Sequence, residues 1–116
     1  MNVKERFLNY VVIDSGSSET TGTHPSTEKQ WDMARLLEKE LKEMGAENVR
    51  VSPTCYVYAE IPANVLDQPA IGLIAHMDTA PAVPTGPVHP RCLVYAGGEL
   101  DVGNGVVMKP EEFECL

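Results

Sequence analysis

The chain has 116 residues and a mass of 12.7 kDa, room for one small hydrophobic core but not for two domains. Apolar residues at 43% and charged residues at 22% are ordinary globular proportions and exclude wholesale disorder. Seventeen acids against nine bases give a net charge of -8, which excludes a nucleic-acid partner because phosphate binding needs clustered Lys and Arg.

The first apolar pattern, Phe7, Leu8, Val11 and Val12 with polar residues between, predicts a short amphipathic helix over 3–13. The small, polar, Gly-containing stretch 14–25 then reads as a loop. Thr27 signals a second helix, with Gln30 three residues on as a capping box requires and Glu28 in the dipole-favoured first turn. Its buried stripe is Trp31, Ala34, Leu37, Leu41 and Met44, widened by Met33 and Leu36, and Gly45 is its expected left-handed stop.

Beyond Gly45 the period changes to two. Val49 and Val51, then Tyr56 to Ile61 after a Pro53-Thr54 turn, predict an antiparallel strand pair. Ala70 to Ala75 is an unbroken apolar run that reads as a strand buried on both faces at the centre of a helix-covered sheet. Pro81, Pro84, Pro87 and Pro90 exclude a long helix through 79–91. Leu93-Val94-Tyr95 and Val106-Val107-Met108 read as short strands, Gly97-Gly98 as a turn, and Pro110-Glu111-Glu112 as a helix's first turn. The expected fold is α/β, two helices packed on a mixed sheet. The chain reads as cut off near Leu116, a single partial domain over 1–116.

No apolar run approaches the roughly 20 residues that span a bilayer, and the mixed charges of residues 1–6 do not resemble a signal peptide. Cys55, Cys92 and Cys115 are odd in number and lack Cys-x-x-Cys spacing, so a disulfide framework is not expected and a reducing cytoplasm is.

One constellation carries chemistry. The apolar run leads directly into His76-Met77-Asp78, and polar residues at the carboxyl end of a central strand lie where open α/β sheets bind ligands. Residues two apart in extended backbone face one side, so His76 and Asp78 share a cavity while Met77 packs away. The imidazole then gives one nitrogen to a metal and donates the other N–H to the acid. Spacing alone slightly favours a plainer reading, a histidine hydrogen-bonded to its neighbouring Asp that merely satisfies buried polar groups. Other candidates carry less. His24 and His89 read as solvated loop residues, and Gly103-Asn104-Gly105 reads as a tight turn without a phosphate loop's Lys. Ser15, Ser17 and Ser18 lack a nucleophile elbow, the cysteines lack a neighbouring base, and Tyr56, Tyr58 and Tyr95 read as packing residues.

Four segments in order, Glu5 to Val11, Pro25 to Trp31, Ile61 to Val65 and Pro69 to Thr79, resemble the N-terminal part of the peptidase T family. These tripeptide aminopeptidases belong with carboxypeptidase G, aminoacylase and succinyl-diaminopimelate desuccinylase among di-zinc enzymes. The resemblance implies that His76 is a zinc ligand and that Asp78 is the catalytic acid orienting it. It implies two zinc ions and a short peptide substrate in the complete enzyme. The remaining ligands and the general base lie downstream, so weak or absent zinc binding and no hydrolysis are expected of this chain alone. Two rival expectations stand beside this one. One is a non-catalytic half-domain that forms a homo-oligomer or pairs with another chain through an exposed sheet edge. The other is a related di-zinc deacylase or dipeptidase.

Overall fold

Asn2 opens the first helix. In the computed structural model, which describes residues 1–82 and 86–116, its side chain accepts from the Glu5 amide at 2.9 Å. The Glu5 carboxylate accepts in return from the Asn2 amide at 2.8 Å. This capping box satisfies donors that a helix start leaves unpaired, and α1 runs Val3–Val11 much as the periodicity predicts. Its apolar face is left largely uncovered, with Phe7 and Val12 exposed.

Helix α2, Gln30–Glu43, begins two residues later than a cap at Thr27 implies. The expected capping box does not form, because the Thr27 hydroxyl donates to the Gly16 carbonyl at 2.6 Å and Gln30 Nε2 donates to Ser26 Oγ at 3.0 Å. A turn over 27–29 takes the cap's place, its carbonyls accepting the amides of Gln30, Trp31 and Asp32. The far end matches expectation. Gly45 has φ 81°, and the amides of Gly45 and Ala46 donate to the carbonyls of Lys42 and Leu41, closing a Schellman stop.

Of the α2 stripe, Met33 and Ala34 are buried, Trp31, Leu36, Leu37 and Leu41 half-buried, and Met44 exposed. The helix lies on β1 (Glu47–Val51) and, more lightly, on β2 (Val57–Glu60). These strands pair antiparallel, with Arg50 opposite Tyr58 and Val51 opposite Val57, and the Arg50 guanidinium sits 4.5 Å from the Tyr58 ring centroid. Beside their turn Cys55 is buried, which pushes its thiol up and leaves it inert, in keeping with an incidental cysteine.

A second hairpin joins β3 (Leu100–Gly103) to β4 (Val106–Met108). Asn104 and Gly105 both have positive φ, 53° and 76°, the signature of a type I′ turn, so Gly103-Asn104-Gly105 is a turn as expected. Strand β3 was not legible in the sequence. Leu93 to Tyr95, read as a strand, forms none, and β3 pairs with β4 alone among the described residues. Pro110 to Glu112 forms a turn in place of a helix start. Pro84 lies outside the described residues, and the described residues of 79–91 contain no helix.

These elements give the expected α/β mix, with the strands in two separate antiparallel pairs rather than one mixed sheet. The largest correction concerns residues 70–75. They form no strand, and Ile71, Leu73 and Ile74 are 87%, 92% and 101% exposed. A strand needs a neighbour for its N–H and C=O groups, and among the described residues no strand is hydrogen-bonded to this segment. The radius of gyration, 18.2 Å, exceeds the roughly 13 Å of a compact chain of this length accordingly. No helix of the described residues is long and apolar enough to cross a membrane.

Helix α1 is tied to α2 by charge. Glu40, 4% exposed, accepts on Oε2 from Arg6 Nη1 at 2.6 Å and from the Tyr10 hydroxyl. Burial, and then the bond to Glu40, push the Tyr10 phenol up. Glu40→Ala strips both donors of their acceptor and is expected to lower stability by about 1–3 kcal/mol. A urea midpoint equal to that of wild type would refute this.

Candidate metal site

The site is assembled by the loop between the helices. Asp14 accepts from the Gly16 amide at 3.1 Å and pairs with Lys29 Nζ at 2.7 Å, fastening the loop to the start of α2. Lys29 first, then the Gly16 amide, hold the Asp14 carboxyl below its usual range. Thr27 holds the Gly16 carbonyl, and Ser26 Oγ accepts from the Ser18 amide at 3.0 Å. Ser15 and Gly16 are buried in consequence. The loop expected from composition is therefore irregular but well bonded.

Its inner edge captures the end of the apolar run. Gly16 and Thr79 form a parallel bridge, in which the Thr79 amide donates to the Ser15 carbonyl at 3.2 Å and the Ser17 amide donates to the Thr79 carbonyl at 3.0 Å. The Ser17 hydroxyl donates to the same carbonyl at 2.9 Å, the third bond to Thr79. The residue pair just before this clamp is the one with chemistry in it.

His76 Nδ1 lies 3.1 Å from Asp78 Oδ1. The His76 side chain is 83% exposed and that of Asp78 37%, so the ring is neither tucked into the interior nor turned from its acid. Partial burial pushes the Asp78 carboxyl up, but the nearby Ser17 hydroxyl and then the His76 ring outweigh it and hold the group below its usual range. An ionised Asp78 is an acceptor for an Nδ1–H, and in the neutral ring that arrangement leaves the lone pair on Nε2.

Both side chains border a cavity of about 870 Å³ between α2, the first hairpin and residues 73–78. Met77, expected to pack away, borders it as well, because the segment is not held in a flat sheet. His24, read as a solvated loop residue, is exposed yet also borders it, whereas His89 is exposed elsewhere. Sequence reasoning missed Ser15 and Ser17 as structural partners of the site. The available signal was Ser15-Gly16-Ser17 itself, three small residues that allow a second backbone to come close.

The donor chemistry fits one zinc ligand. A neutral imidazole whose Nδ1–H is held by a carboxylate is the usual arrangement of a zinc-bound histidine. Among the described residues no group of three His, Cys, Asp or Glu converges, whereas a catalytic zinc takes three protein ligands and water. The residues present thus fit a part of a centre.

Sequence comparison gives the same region a context. The chain is 44% identical over 110 residues to peptidase T of Clostridium perfringens, matching 93% of this chain and 27% of that protein. It is 43% identical over 119 residues to peptidase T of Parabacteroides distasonis, covering 100% of the chain and 29% of the relative. The corresponding enzyme name in Geobacillus thermodenitrificans belongs to a protein 42% identical over 116 residues, covering 97% and 28%. The chain thus spans a little over a quarter of the length of the curated relatives it matches. No protein-family model matches it.

The loop anchor has a pH signature. A carboxyl with a lowered folded-state pKa adds stability above its unfolded value, 3.8 for Asp14, and loses it as pH falls through the folded value. Asp14→Asn is therefore expected to show a smaller loss of urea midpoint between pH 6 and pH 3 than wild type. Equal losses would exclude the anchor.

Proposed function

This chain is homologous to peptidase T along its whole length, and from that premise we propose that it is part of a peptidase T-like metallo-aminopeptidase that releases the N-terminal residue of tripeptides. The observation that carries the site assignment is the 3.1 Å contact between His76 Nδ1 and Asp78 in an open cavity. In this reading His76 Nε2 is a metal ligand, and Asp78 fixes the tautomer and raises the basicity of the ring. Zinc, when bound, polarises the peptide carbonyl and lowers the pKa of water. The further ligands and the general base belong to the portion of the relatives outside this chain. The 116 residues alone are expected to bind zinc weakly and to hydrolyse no tripeptide. A cytoplasmic location completes the proposal, supported by the unpaired cysteines.

Zinc titration of the full chain beside His76→Ala tests the ligand role. Uptake is expected to drop in the variant, with Asp78→Ala weakening it about 10–100-fold. Equal uptake by wild type and His76→Ala would remove the assignment.

The exposed Ile71, Leu73 and Ile74 favour a second reading, in which the same segment makes the chain self-associate. Light scattering is expected to report dimers or larger species that Ile74→Lys shifts toward monomer. A wild-type chain that stays monomeric at every concentration would exclude it.

A further inference from the structure

We propose that Ser17 is a positioning residue for the His76–Asp78 pair, acting through the Thr79 backbone that it clamps. The proposal rests on the roles given to His76 and Asp78 above and adds the part of the chain that holds them in place.

The need for such a holder follows from the surroundings. Residues 70–75, which lead into the pair, are unpaired and exposed, so they cannot fix its direction. What fixes it is the other side. Thr79, next in the chain after Asp78, is bonded at its amide by Ser15 and at its carbonyl by both the amide and the hydroxyl of Ser17. The strip behind these bonds, Ser15 and Gly16, is buried, while Thr79 and the Ser17 hydroxyl bond lie at the surface.

The clamp is itself held. Gly16 accepts from Thr27 at its carbonyl and donates to Asp14 at its amide, and Asp14 is paired with Lys29. A continuous hydrogen-bonded path therefore runs from the start of α2 to the backbone next to Asp78. With that backbone fixed, the carboxylate stays 3.1 Å from Nδ1, and the ring keeps its proton there. Without the Ser17 hydroxyl, Thr79 loses one of three bonds and Asp78 a polar neighbour. The imidazole, 83% exposed, then distributes its proton over both nitrogens as a solvated ring does.

The test is the tautomer of His76, read from ring ¹⁵N chemical shifts of the labelled, metal-free chain at a pH where the imidazole is neutral. Wild type is expected to show the Nδ1–H form. Ser17→Ala is expected to lose that signature in favour of a mixture, and Ser17→Thr, which keeps the hydroxyl, to retain it. Should Ser17→Ala fail to fold, Ser17→Cys, a poorer donor of similar size, is read in the same way. An unchanged Nδ1–H pattern in the folded Ala or Cys variant overturns the proposal, and so does a wild-type ring that is already mixed. The measurement uses no metal, so a tautomer shift in a chain that takes up no zinc supports the positioning role while removing the metal reading.

Discussion

The bridge between Gly16 and Thr79 is the interaction on which the functional geometry depends. It joins residues about sixty positions apart, so it closes a long loop, an entropic cost that few bonds could offset unless the loop ends were already ordered. One end is ordered, because Asp14, Thr27 and Lys29 fasten the 15–17 strip to α2. The other end is fixed by that strip. His76 and Asp78 are consequently held at the mouth of a cavity by a loop that contributes neither of them.

The packing explains why so much apolar surface is uncovered. Helix α2 and the first hairpin make a small core around Met33, Ala34 and Cys55. Helix α1 joins it largely through Glu40, whose Oε2 serves Arg6 and Tyr10 while Oε1 is buried without a hydrogen-bond partner among the described residues. Such an orphaned oxygen is unusual in a finished interior. It borders the same cavity as Leu73 and Ile74, whose side chains face solvent. The chain spans a little over a quarter of its relatives, and the uncovered segment, the orphaned oxygen and the partial ligand set all fit the proposed reading of a portion of a larger enzyme.

The site combines two levels of control. Asp78 acts on the ring directly, by charge and hydrogen bonding, and is kept ionised because donors around it outweigh its partial burial. The loop acts on Asp78 through backbone geometry. A surface carboxylate is otherwise free to rotate away from an exposed histidine, and an exposed pair of this kind contributes little stability by itself. What holds it is not the strength of the contact between the two side chains but the lack of freedom in the peptide that carries one of them.

Local signals were legible in the sequence wherever the deciding atoms lie a few residues apart. The periodicity of α1, the Gly45 stop, the antiparallel pairing of β1 and β2 and the Asn104-Gly105 turn all belong to that class. The His76–Asp78 contact is also local, although Met77 between them borders the same cavity instead of packing away. Tertiary structure decided the rest. The start of α2 moved because Gly16, eleven residues earlier, claimed the Thr27 hydroxyl. Glu40 became buried because Arg6 and Tyr10 from another helix reached it. The run from Ala70 to Ala75 has the composition of a central strand, yet it stays unpaired, because a strand exists only where another backbone supplies its hydrogen bonds and hydrophobicity alone supplies none.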